Sequence, residues 1–482
     1  MTSLQRRRFL KTLPAVAAFT AWPAASDRPN IIYILADDLG WGDLRVYNPQ
    51  SQIPTPNADR LAAQGMRFLD MHSPSAVCTP TRYGILTGRY CWRTKLKNGV
   101  LWGYDTNLIE PGRLTVASLL KSHGYHTAGF GKWHLGLGSG ERTDYSKNLA
   151  PSPIDHGFDT YFGIPASLDM DPYVYIENDR VLEQPTAKTE GKNKPPGVFW
   201  RPGPMAPAFN FDQVLPVITG RAAEYIRDRG RTTAQPFFAY IALTAPHTPW
   251  LPSAKFQGKS KAGDYGDFVA QTDAALGSIV QAVDAGGLAN HTLIIFTSNN
   301  GADWTPDDKA RFPHRSNAAW RGQKRDIYEG GHRIPFIARW PAKIRAGSVS
   351  NQLGCLTDLM ATAASIVAGA LPVNAGEDSY SLQPALTGTT GKPVRDAIVH
   401  HSMDGMFAIR HGRWKLVLGR GSGGSSKPVR DEAKPGEAAG QLFDLQTDPA
   451  ELRDVYSGHP EIVARLRRLL DSYQKSGRSR SS

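Results

Sequence analysis

The chain has 482 residues, 40% of them hydrophobic and 21% charged, with a formal net charge of +12. That length allows one large domain plus a smaller one, and the balance is that of a folded globular protein. No apolar run approaches the roughly 18 residues that span a bilayer, and neither zinc-finger spacing nor an aromatic-plus-basic signature occurs, so stable membrane insertion and nucleic-acid binding are set aside.

The first 26 residues differ in kind. "MTSLQRRRFLKTLPAVAAFTAWPAAS" places Arg6, Arg7, Arg8 and Lys11 before a mildly apolar stretch and ends in small residues at Ala24, Ala25 and Ser26. This is the layout of a twin-arginine export signal, which carries folded cargo, and it predicts a periplasmic or secreted protein. Subtracting those four cations from +12 leaves +8 for the remainder, a balance suited to an anionic substrate.

Residues 27–371 alternate short apolar runs with helical patterns, the signature of a parallel sheet flanked by helices. "NIIYILADDLG" reads as a buried strand ending at Ala36, and "YHTAGFGKWHLG" as a shorter one followed by a Gly-rich turn. "PFFAYIALTAPHTP" predicts a strand to Leu243 and "HTLIIFTSNNG" another to Thr297. "LTVASLLKSHG" and "DFVAQTDAALGSIVQAVDAGG" read as helices, and the Pro-, Gly- and Lys-rich stretch from Glu183 to Pro207 as a surface insertion. Residues 372–475 change character. "DAIVHHS", "MFAIRHGRWKLVLG" and "QLFDLQTD" predict antiparallel strands, and "HPEIVARLRRLLDSYQK" a closing amphipathic helix. Residues 476–482 read as a disordered tail.

In open α/β sheets, ligands bind beyond the carboxyl ends of the strands. Each predicted strand ends in a polar cluster: Asp37 and Asp38, then Lys132 and His134, then His247, then Asn299 and Asn300. Adjacent carboxylates repel unless a cation sits between them, so Asp37 and Asp38 with amide oxygens from Asn299 and Asn300 would make a hard oxygen site for calcium or magnesium. Of three cysteines, Cys91 and Cys355 suit buried inert positions. Cys78 has small, polar and cationic neighbours in "SAVCTPTRYGILTGR". It would open a helix whose first turn Pro80 shapes, and the orphan amides of a helix start attract anions. Arg82, one turn on, faces the same spot and can hold an anion in bidentate fashion.

"AVCTPTRYGILTG" closely resembles the type I sulfatase signature, in which the cysteine of Cys-x-Pro-x-Arg is oxidised enzymatically to formylglycine. "GYHTAGFGKWHLG" resembles the second sulfatase signature, with Phe130 where a smaller aliphatic residue is common; "APHTP" and "RGQKRDIYEGGHRIPFIARWP" are similar to further sulfatase motifs. The resemblance runs from Pro29 to near Tyr473. It implies an alkaline-phosphatase-like α/β/α sandwich with a smaller C-terminal α+β domain, an antiparallel four-stranded sheet plus helix. It also implies a formylglycine-generating enzyme as partner and a formylglycine at 78 whose hydrate attacks sulfur. Calcium would be held by Asp37, Asp38, Asn299, Asn300 and the modified Cys78, with magnesium as the alternative ion. Arg82, Lys132 and Lys324 would offset charge on the sulfuryl oxygens, His247 would protonate the leaving oxygen, and His134 would assist release.

One departure stands out. The family usually reads "SDNG" where this chain has "SNNG", so Asn299 replaces an aspartate that binds metal and helps deprotonate the nucleophile. Residues 75–175 look closest to bacterial sulfatases acting on galactose- or N-acetylgalactosamine-6-sulfate, which makes a sulfated carbohydrate the expected substrate, with Asp169, His314 and Arg321 as candidate sugar contacts. Two alternatives remain: a phosphoester or phosphonate hydrolase of the same superfamily, and a weakened binding protein for sulfated glycans, which Asn299 alone recommends.

Overall fold

The computed structural model describes residues 28–232 and 235–481; the export-signal reading lies outside the described residues. The core is a ten-stranded mixed sheet whose five central strands are parallel. In chain order these are β1 (Asn30–Asp37), β2 (His126–Lys132), β3 (Thr160–Ile164), β4 (Phe237–Pro246) and β5 (Thr292–Ser298), arranged β5-β1-β4-β2-β3. β1 and β4 are buried at every position, as expected where helices cover both faces of a parallel sheet. The all-parallel expectation fails only at the edges. Phe336–Arg339 pairs antiparallel to β5, and a hairpin of Ile176–Glu177 and Arg180–Val181 pairs antiparallel to β3.

Register does the positioning. Ala36 pairs with Ser298, so the next residues on each strand, Asp37 and Asp38 on one and Asn299 and Asn300 on the other, emerge side by side. On the far side Gly131 pairs with Ala242, which brings Lys132 to the same end. Gly131 has a φ of +101°, and a Cβ there would fall 1.9 Å from the Ala242 carbonyl oxygen, so only glycine lets the strand end so close to its neighbour. The two predicted helices form as Val116–Ser122 and Gly263–Ala285.

The Glu183–Pro207 insertion folds into two small ribbons, Ala187–Thr189 with Gly203–Met205 and Lys192–Lys194 with Val198–Trp200. The C-terminal unit has the predicted four antiparallel strands, Ala397–His401, Phe407–His411, Trp414–Val417 and Gln441–Asp444. The Pro460–Lys475 helix lays Val463, Leu466 and Leu470 against Ile409, Leu416 and Leu442, and Tyr90, Trp92 and Cys355 of the large unit complete that second core. The tail, expected to be disordered, is instead tied back onto the large unit: Asp378 accepts from the Ser479 amide at 3.0 Å and the Tyr380 hydroxyl donates to the Ser479 carbonyl at 2.6 Å. Among the described residues no helix is long and apolar enough to cross a membrane.

Buried neutral histidines give the fold a pH dependence. Burial pushes His156 and His72 down to about 4, and His134, His332 and His400 well below their usual value. In the unfolded chain such rings protonate near 6.5. Because the folded value is depressed, their contribution is full above about 6.5 and is lost as the pH falls towards 4. Asp273 and Asp358, pushed up by burial to about 6, and Glu451, pushed up by burial to about 7, work in the opposite direction over that window, but the histidines outnumber them. The melting temperature is therefore expected to fall between pH 6.5 and 4.5, His156 alone supplying up to about 3 kcal/mol. Calorimetric scans that stay flat across this range would contradict the reading.

Candidate active site

Cys78 begins α1 (Cys78–Thr87), entered from Val77 in an extended conformation with no side chain capping the first turn. Its Sγ lies 3.5 Å from Asp37 Oδ1. Asp37, fully buried, also accepts from Lys132 Nζ at 2.6 Å and from the Asn299 amide, and Arg82 Nη2 stands 3.4 Å away. Arg82 donates through Nη1 to the Lys132 carbonyl at 2.7 Å, while its Nε and Nη2 have no hydrogen-bond partner. Asp38 accepts from Asn300 Nδ2 and from Lys324 Nζ, each at 2.7 Å, and faces His247 Nε2 at 3.7 Å. Asn299 ties the two acids together: it donates to Asp37 and accepts from the Asp38 backbone amide at 2.9 Å. Asp38 and His134 hold φ values of 66° and 57°, conformations that non-glycine residues adopt at some cost and that cluster at functional sites.

The electrostatics follow from burial. Burial raises the Asp37 carboxyl, but Lys132 and then Arg82 outweigh it and hold it well below the usual carboxylate range. Burial, and then the Asp37 charge, pushes the Cys78 thiol up. A cysteine used as a thiolate needs the reverse, so these surroundings keep the sulfur protonated and inert. Against two carboxylates stand three buried cations, Arg82, Lys132 and Lys324. One positive charge is left over, a cradle for an anion.

Ser167 was not singled out in the sequence. Its Oγ accepts from Lys132 Nζ at 3.0 Å and lies 3.3 Å from His247 Nε2. The signal was absent because "ASLD" carries no motif and the contact is tertiary. His247 Nδ1 donates to the Thr248 carbonyl at 2.6 Å, leaving Nε2 as its exchangeable position. His134 Nε2 donates to the Leu101 carbonyl at 2.7 Å, so Nδ1 is a bare acceptor with no partner.

The three sugar-contact candidates separate. Asp169 sits near the cluster, with Oδ2 held by Arg201 Nη1 at 2.6 Å and Oδ1 buried without a hydrogen-bond partner. Arg201 comes from the insertion and covers the rings of Trp102 and Phe199, at 4.7 Å and 5.0 Å from the centroids. His314 is sealed from solvent, with Nε2 on Asp43 Oδ1 at 2.8 Å and Nδ1 facing the Gln52 amide, so it braces the Asp43 loop instead of meeting a ligand. Arg321 donates to the Glu451 carbonyl and lies over the Tyr328 ring, which likewise commits it elsewhere. Cys91 and Cys355 are buried free thiols, pushed up by burial to about 12 and about 11, as expected of inert positions.

The donor set suits a hard cation. Asn300 Oδ1 is a buried acceptor with no hydrogen-bond partner, and it stands beside two carboxylates and a second amide oxygen, the chemistry calcium or magnesium selects.

Residues 29–370 match the family described as Sulfatase. The chain is 34% identical to the N-acetylgalactosamine-6-O-sulfatase of Bacteroides thetaiotaomicron, over 96% of this chain and 98% of that one. It is 33% identical to human arylsulfatase A, over 94% and 89%. Among solved structures, a Bacteroides thetaiotaomicron sulfatase from a locus for metabolism of multiple glycosaminoglycans superimposes with a TM-score of 0.84 at 33% identity, covering 93% of this chain and all of that one. A Pseudoalteromonas sulfatase does so with a TM-score of 0.74 at 26% identity, covering 93% and 90%.

Proposed function

Given that the chain belongs to the sulfatase family and is a sulfuric ester hydrolase, we propose that it is exported through the twin-arginine route and removes 6-sulfate from galactose or N-acetylgalactosamine units of a sulfated carbohydrate. The observation that carries the chemistry is Cys78: it sits at an anion cradle whose surroundings suppress the thiolate. That arrangement serves a formylglycine made from Cys78 by a formylglycine-generating enzyme, which supplies an oxygen nucleophile. Calcium, or magnesium in its place, would be held by Asp37, Asp38, Asn299, Asn300 and the modified residue 78; when bound it polarises a sulfate oxygen.

The chain's own residues do the rest. Lys132, Lys324 and the free N–H groups of Arg82 neutralise the sulfuryl oxygens, in a buried setting where each charge acts strongly. His247 Nε2 delivers a proton to the leaving oxygen. Burial, and then Lys324, push His247 down, and an anionic ester in the cradle pushes it back up, so the proton arrives with the substrate. His134 Nδ1 is a base within electrostatic reach of Asp37 and Lys132. The unpartnered Asp169 Oδ1 accepts a sugar hydroxyl. The substrate class rests on end-to-end likeness to the Bacteroides N-acetylgalactosamine-6-O-sulfatase.

Sulfate release from 6-, 4- and 2-sulfated hexoses and glycosaminoglycan disaccharides tests this. Release confined to 6-sulfated galactose-type sugars is expected; preference for another position would overturn the substrate assignment. Asn299→Asp adds a carboxylate beside Asp37 and removes the donor that Asp37 accepts from. It is expected to raise calcium affinity roughly tenfold and to make the melting temperature more calcium-dependent. Weaker binding on calorimetric titration would defeat that idea.

A further inference from the structure

The Glu183–Pro207 insertion is fastened to the active site at two points. The Gly197 carbonyl, at the turn of the Lys192–Lys194 and Val198–Trp200 ribbon, accepts from the Thr248 hydroxyl and from the Trp250 amide at 2.9 Å, which ties the insertion to the loop carrying His247. Four residues on, Arg201 Nη1 donates to the Asp169 carbonyl at 3.0 Å and to Asp169 Oδ2 at 2.6 Å. Asp169 lies two residues beyond Ser167, which touches both Lys132 and His247. The insertion therefore walls the approach to the proton donor.

Trp102 meets that wall, its ring centroid 4.7 Å from Arg201 Cζ. Its neighbours are held by the active site itself. The Leu101 amide donates to Thr79 Oγ1 at 3.2 Å, next to Cys78, and the Leu101 carbonyl accepts from His134. At Gly103 a Cβ would fall 1.9 Å from the Asp171 carbonyl oxygen, so only glycine lets this segment lie against the loop that carries Asp169. Trp102 is thus firmly seated, yet 49% of it is open to solvent, and it is the one exposed aromatic side chain among the described residues. Arg201 also faces outward. Its hydrogen bonds run through Nη1 alone, while Nε and Nη2 have none and are not sealed, the side chain being 35% exposed.

We propose that Trp102 and Arg201 form a subsite for the sugar next to the sulfated one, with Trp102 covering the C–H face of its pyranose ring and Arg201 Nε and Nη2 gripping its carboxylate. The preferred substrate is then an oligosaccharide in which the sulfated unit is joined to a uronate; this rests on the carbohydrate-sulfate reading above. Two parallel N–H groups match a carboxylate in bidentate fashion. Asp169 and the Trp102 and Phe199 rings already fix the guanidinium, so little side-chain freedom is lost on binding. Covering an open indole with apolar C–H groups removes it from water. The insertion's four cations, Lys188, Lys192, Lys194 and Arg201, exceed its two acids, Glu183 and Glu190, and favour an anionic neighbour. Asp169 links the two subsites, with Oδ1 free for the inner sugar and Oδ2 on Arg201. Bracing Asp169 alone would use Nη1 and leave the outer N–H edge and the open indole without a task.

The test measures calorimetric binding to the full chain carrying Cys78→Ala, with calcium present. The ligands are 6-sulfated N-acetylgalactosamine joined to glucuronic acid, in both linkage orders, and the same disaccharides with the carboxyl reduced to the alcohol. In the better-bound order the acid should bind at least about tenfold more tightly than its reduced form. Adding Arg201→Gln should bring the two within about twofold. Any loss of Asp169 bracing weakens both ligands and cancels in that ratio. Equal binding of acid and alcohol, which needs no further variant to observe, would overturn the proposal, as would a preference that survives in folded Arg201→Gln. The sulfate position fails separately: tighter binding of the 4- or 2-sulfated isomers would overturn the 6-sulfate assignment, and the acid-to-alcohol ratio read on those isomers would still decide the subsite.

Discussion

Cys78→Ala is expected to lower sulfate release by at least about 10⁴-fold while leaving the protein folded. The two halves of that expectation have separate physical grounds. Structurally the thiol does little: it is buried, and its contact with Asp37 is a weak 3.5 Å one. Trimming one sulfur from the start of a well-packed helix costs about 1–2 kcal/mol at most. Chemically, residue 78 is the proposed source of the attacking oxygen, and the Ser167 hydroxyl nearby is already engaged by Lys132. The cations survive in the variant, so affinity for the sulfated sugar should persist within a few-fold. Parallel assays of turnover, ligand binding and melting temperature check all three. Substantial release from Cys78→Ala would mean that residue 78 is not the nucleophile.

How much of this was legible beforehand depends on whether the deciding contact is local. The four strand-end clusters were, because apolar runs stop where polar residues begin, though the strands extend further than hydropathy indicates: to Asp37, Pro246 and Ser298 against expected ends at Ala36, Leu243 and Thr297. Polar residues there are still paired by register, which hydropathy cannot report. Cys78 and Arg82 were legible because one helical turn separates them. Ser167 and Arg201 were not, since each gains its role from a partner dozens of residues away. His314 misled for a related reason. Its loop looked like a pocket wall, but Asp43, far back in the chain, turns the ring inward. The tail misled through composition: its Ser and Arg residues look solvated, yet its backbone is held by Asp378 and Tyr380. The stacking of His332 on His400, 3.6 Å between ring centroids, carries no linear signal at all.

The second large effect is expected at Asp37, where Asp37→Asn should destabilise the protein by about 3–5 kcal/mol as well as silence it. Its carboxylate is the counter-charge for Lys132 at 2.6 Å and Arg82 at 3.4 Å, all three side chains being sealed from solvent. Neutralising it leaves Asp38 as the single carboxylate among three buried cations, and an uncompensated buried charge costs far more than a surface one. The pH dependence has a definite sign. Asp37 is held well below the usual carboxylate range by Lys132 and Arg82, so its contribution is full above the unfolded value near 3.8 and is lost only as the pH falls below it. Between pH 5 and 8 the deficit of the variant should therefore be constant, which denaturant unfolding at several pH values measures. A double-mutant cycle then separates partner from scaffold. Asp37→Asn combined with Lys132→Met removes the orphaned ammonium along with the acid, so the pair should be less destabilised than the sum of the singles by about 1–3 kcal/mol. Strict additivity would show that Lys132 draws its stability from Ser167 and the strand end, and that Arg82 alone is the cation Asp37 answers.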